Sequence, residues 1–70
     1  MELTYTECAN DAGLLREYLA RHYGAAFCYG ASGAVWGRGW TIAARLARMI
    51  NWPVSWVIRQ AQSDYRDIEE

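Results

Sequence analysis

The side chain best suited to recognition chemistry in this 70-residue chain is arginine. Its seven basic residues are all arginines, set against eight acids and one histidine, for a formal net charge of −1. A guanidinium stays charged at any physiological pH and presents a planar fork of donors that matches a phosphate, a carboxylate or the edge of guanine. Near the C-terminal end, Ser55, Arg59, Gln60 and Ser63 recur at a spacing that puts them on one side of a helix. Arg59 can hold guanine with two hydrogen bonds, and Gln60 can hold adenine in the same way. Arg38, Arg45 and Arg48 are then placed to bind phosphates, which set register without reading sequence.

The near-neutral total hides a segregated pattern. Residues 1–17 sum to −3, and so do residues 64–70. Residues 18–63 contain no acid and carry Arg21, Arg38, Arg45, Arg48 and Arg59, a sum of +5. One consequence is a basic surface for a polyanion, with acidic ends that limit nonspecific adhesion. The alternative is an ordinary surface on which the acidic ends fold back and pair with the arginines.

The four tryptophans repeat a spacing, Trp36 with Trp40 and Trp52 with Trp56. Trp56 falls opposite the apolar stripe of its helix, and Trp52 falls in a turn. An exposed tryptophan is a typical interface anchor; the alternative is that both pack on the N-terminal segment or the glycine-rich region. Other sites fare worse. Cys8, Cys28 and His22 show neither CxxC nor HxxxH spacing, so no metal is expected. A Cys–His nucleophile would lack a third, orienting group. The carboxylates gather at the ends rather than pairing as acid and base. Gly37-Arg38-Gly39 lacks the spacing and lysine of a phosphate loop. The expectation is a non-enzyme without cofactor or metal. The N-terminal residues show no basic segment followed by an apolar run, and cysteines are few. A cytoplasmic protein with reduced thiols is therefore expected. The longest uncharged stretch, 22–37, is too short and glycine-rich to span a bilayer.

These residues must be positioned by one small domain, mainly α, with three helices. At 53% hydrophobic and 14% aromatic, the composition supports a compact core and excludes wholesale disorder. Residues 1–9 read as an extended arm, with the alternation at 3–6 allowing a short strand. Residues 10–23 read as a helix capped by Asn10 or Asp11 and ended by Gly24. Its inner face is Leu15, Tyr18, Leu19 and His22, and Glu17 pairs with Arg21 on the outside. Residues 24–40 hold five glycines. A hairpin of 27–29 against 34–36 is preferred there. The alternative is a helix starting near Ala31 or Ser32, which would set Trp36 and Trp40 one turn apart. Thr41 caps a helix over 42–50, with Ile42, Leu46, Met49 and Ile50 inside. Asn51 suits a left-handed exit. The last helix begins near Pro53, its stripe being Val54, Val57, Ile58, Ala61 and Tyr65, extending towards Ile68. Residues 67–70 form an acidic tail.

The segment LARMINWPVSWVIRQ resembles the helix-turn-helix family of DNA-binding domains over residues 41–60. Ala47 stands at the small-residue site of the first helix, Asn51 replaces the usual turn glycine, and Trp52 fills the apolar turn site. Val57 stands at the buried site of the second helix. Pro53 replaces the usual Ser/Thr cap. The resemblance implies a dimeric transcriptional regulator that inserts its second helix into the major groove of double-stranded DNA. The alternative partner is a host protein or ribonucleoprotein complex gripped by Trp52 and Trp56. In size and style the chain also resembles phage or mobile-element inhibitors such as anti-CRISPR proteins and quorum-sensing antagonists.

Overall fold

The computed structural model describes residues 3–69 and is mainly helical over them, with no strand among the described residues. Four helices follow one another: α1 (Tyr5–Cys8), α2 (Ala12–Tyr29), α3 (Gly33–Ile50) and α4 (Val54–Glu69). The expected mainly α domain is therefore present, with four helices in place of three.

Each departure from expectation has a local cause. Residues 3–9 are not an arm or a strand. Thr4 caps α1, its hydroxyl accepting from the Glu7 amide at 3.4 Å and donating to the Glu7 carboxylate at 3.1 Å. That Thr-x-x-Glu spacing is a helix-start signal. Residues 1 and 2 of the expected arm lie outside the described residues. Asp11 caps α2 as expected, accepting from the Leu14 amide at 3.0 Å. Gly24 does not end the helix. It is buried, and a Cβ there would stand 2.4 Å from the Tyr65 Cβ. Its role is close approach between α2 and α4. The helix runs on to Gly30, whose φ of 92° an L side chain rarely adopts.

No hairpin occupies 24–40. Ser32 caps α3 by accepting from the Val35 amide at 3.4 Å, so the helical alternative holds. Thr41 is no cap; it lies inside α3 and donates its hydroxyl to the Gly37 carbonyl at 2.9 Å. Trp36 faces inward, its ring 5.0 Å from that of Phe27, while Trp40 is exposed.

The exit from α3 is as expected. Asn51 takes φ 58°, ψ 46°, and the Ala47 carbonyl accepts the Asn51 amide and, at 2.9 Å, the Trp52 amide. Pro53 follows and its carbonyl accepts from Trp56 and Val57, opening α4. The acidic tail is largely helical, since α4 continues to Glu69; Glu70 lies outside the described residues.

All of α2, α3 and α4 pack on one another, and α1 packs on α2. Leu15 and Leu19 of α2, Ala43 and Leu46 of α3, and Val57 and Ala61 of α4 fill the centre. The small residues let the helix axes approach. Ile68 is exposed, so the α4 stripe ends before it. His22 is also exposed and stacks on Tyr18 with ring centroids 4.3 Å apart.

Candidate nucleic-acid interface

The structure settles how the charge blocks meet. Arg16 of α2 clasps Asp64 of α4 in two-point fashion, Nε to Oδ2 at 2.8 Å and Nη2 to Oδ1 at 3.0 Å. Arg21 pairs with Glu17 one turn away at 3.1 Å. Tyr29 donates to both oxygens of Glu69. With Asp11 capping α2 and Glu7 held by Thr4, the acids are largely engaged inside α1, α2 and α4. The Arg16 hydrogen bonds hold the Asp64 carboxyl below its ordinary range. The same partner pushes the Arg16 guanidinium further up.

The arginines of α3 are treated differently. At 3.6 residues per turn, Arg38, Thr41, Arg45 and Arg48 fall within about 80° of one another, forming one stripe. All four are exposed. Among the described residues, Arg38 and Arg48 make no salt bridge. Arg45 donates from Nε to the Ala9 carbonyl at 2.7 Å and from Nη2 to the Asn10 side-chain oxygen at 2.9 Å. It ties down the α1–α2 turn, but both acceptors are neutral, so its charge is not cancelled.

On α4, Ser55, Arg59 and Ser63 recur every four residues and are all exposed. Gln60 is not free beside them. It is half-buried and donates to Asp64 at 3.0 Å. Trp56 projects from the same end of α4, 57% exposed, and meets Trp52, 43% exposed, edge to face at 6.1 Å. Trp52 also walls a cleft of about 310 Å³ whose floor includes Leu19, Leu46, Ile50 and Val57. Sequence reasoning missed this cleft, because three helices contribute to it.

A second feature escaped the sequence as well. One hollow lies between α1, α2 and α3, and a second, sharing Tyr5 and Thr41 with it, lies between α1, the α1–α2 turn and α3. Tyr18 and Tyr23 line the first beside Arg38, and Trp40 lines the second beside Arg45 and Arg48.

The remaining sequence candidates do not converge. Cys8 is fully buried, and burial pushes its thiol up. The Cys28 thiol donates to the Gln62 carbonyl at 3.7 Å. Among the described residues, no three His, Cys, Asp or Glu side chains could hold one metal ion. No helix there is long and apolar enough to cross a membrane. Comparison with known proteins finds no matching family, no curated relative and no matching solved structure.

Proposed function

We propose that this chain is a non-enzymatic, helix-turn-helix-like module that binds double-stranded DNA as a dimer and regulates transcription. The observation that carries this reading is the uncompensated arginine stripe of α3, taken together with the exposed Ser55–Arg59–Ser63 face of α4. The three-residue turn with its left-handed Asn51 supports it, since such motifs join two helices through a turn of three or four residues. In this role α4 enters the major groove and Arg59 contacts base edges, while Arg38, Arg45 and Arg48 meet phosphates. Gln60, committed to Asp64, contributes less than its residue type implies. A dimer doubles the half-sites that so small a monomer can contact. A cytoplasmic setting fits, where Cys8 and Cys28 stay reduced.

Titration of a labelled duplex at low salt tests this proposal. Binding at micromolar protein is expected, with affinity falling steeply as salt rises. Arg59→Ala is expected to change sequence preference, and Arg48→Ala to weaken all duplexes alike. Absence of duplex binding at micromolar protein overturns it.

A second reading, a phage-type inhibitor docking on a host protein or ribonucleoprotein complex, is favoured by the exposed Trp52–Trp56 pair, of which Trp52 lines an apolar cleft. Trp56→Ala is then expected to abolish partner capture from host lysate and leave the fold intact. Capture that survives Trp56→Ala removes this reading.

A further inference from the structure

We propose that the trough between α1, α2 and α3 binds an unpaired nucleic-acid strand, with bases on its tyrosines and phosphates on the α3 arginines. Single strands are held by a combination of a basic groove and aromatic rings on which bases stack. Both parts are present here. The two hollows have volumes of about 720 and 580 Å³. From Arg38 to Arg48 the stripe runs about 15 Å along the helix axis. No acidic side chain among the described residues lines either hollow.

The aromatic part is a cluster rather than a scatter. Tyr5 lies edge-on to Tyr18, with ring centroids 6.0 Å apart, and Tyr23 is tilted against Tyr18 at 6.4 Å. Tyr18 is further backed by the His22 ring. Tyr5 is 37% exposed, and Tyr18 and Tyr23 are half-buried. The rings are thus anchored by packing while keeping surface for a base. Arg38 and Thr41 sit beside them at the lip. Further along, Trp40 flanks Arg45 and Arg48. Duplex bases are already stacked on one another and offer no free faces, so this trough selects an unpaired strand.

The surface is distinct from Ser55, Arg59 and Ser63 of α4, and the inference does not rest on groove insertion by that helix. The test is fluorescence anisotropy of the intact chain with labelled oligothymidylate, oligouridylate, an abasic strand of equal length and a duplex. Binding of at least one base-bearing strand at micromolar protein is expected. The abasic strand should bind at least about fivefold more weakly, since stacking supplies the difference. Tyr5→Ala and Tyr23→Ala should each weaken the base-bearing strand by a similar factor, while Tyr5→Phe and Tyr23→Phe retain it. Arg38→Ala should weaken base-bearing and abasic strands alike.

Equal affinity for base-bearing and abasic strands overturns the proposal, and that comparison needs no variant. Failure of the wild type to bind any base-bearing strand also overturns it. So does unchanged binding by alanine variants that melt like the wild type. Arg59→Ala separates the two surfaces, because it should alter duplex binding and leave oligothymidylate binding unchanged.

Discussion

Where α2 meets α4, Arg16 holds Asp64 across the helix interface, and Arg21 holds Glu17 alongside. On α3, Arg38 and Arg48 hold no acid among the described residues, and Arg45 is satisfied by neutral oxygens. The chain contains enough acids to neutralise all of these arginines, yet folding engages the carboxylates on α1, α2 and α4 and leaves α3 positive. On the α2–α4 side, Arg16 and Asp64 use their charge to join two helices. Charge on the α1–α3 side remains available to an anionic partner, and aromatic rings accompany it there and not between Arg16 and Asp64.

Glycine substitutions sharpen the contrast most strongly. Gly24→Ala places a methyl against the Tyr65 side chain on the α2–α4 side. The expected loss is about 1–3 kcal/mol, as for overpacked cores, read as a lower melting temperature. A melting temperature at or above that of the wild type would show that α2 and α4 are not so close.

Acid titration of the Arg16–Asp64 pair gives the next effect. The folded carboxyl titrates below its unfolded counterpart. The pair therefore stabilises fully above about pH 4, the ordinary carboxylate range, and loses its contribution as pH falls through the lower, folded value. Arg16 is more than half exposed, so water screens the pair and its worth is about 0.2–1 kcal/mol. Asp64→Asn is expected to remove that amount at neutral pH and to narrow the gap from the wild type in acid. A gap that widens on acidification would contradict the assignment.

An effect of similar size has the opposite sign. Gly37 lies inside α3, and a Cβ added there would have open space around it, with no neighbouring atom within 4 Å. Gly37→Ala is expected to raise stability by about 0.5–1 kcal/mol through helix propensity alone. Destabilisation there would mean that the trough wall is packed more tightly than its geometry indicates.

Much of this organisation was legible in the residues, and the limits have physical reasons. Asn51 and Pro53 announce the α3–α4 turn because their backbone preferences act locally. Asp11 does the same for the start of α2. Gly24 misleads because its cause is Tyr65, 41 positions along the chain; locally it looks like a helix terminator. Gly39 misleads in the same way, since it is buried and a Cβ there would meet the Phe27 ring at 2.9 Å. Only Arg45 and Arg48 of the α3 stripe were legible as one face, since the hairpin reading of 24–40 puts Arg38 off the helix. The stripe's lack of acidic partners was not legible, because Arg16 and Asp64 are 48 residues apart. The tyrosine trough was hidden for a similar reason, with Tyr5, Tyr18 and Arg38 on three different helices.

The most direct test of the uncompensated α3 surface is the salt dependence of nucleic-acid binding in Arg38→Ala/Arg48→Ala, set against Arg16→Ala/Arg21→Ala. Both double variants remove two positive charges. Removal from α3 is expected to weaken binding and to flatten the slope of log affinity against log salt by nearly two, one for each lost phosphate contact. Removal from α2 is expected to leave that slope unchanged. Equal slopes for the two variants would contradict the division of charge between the two sides.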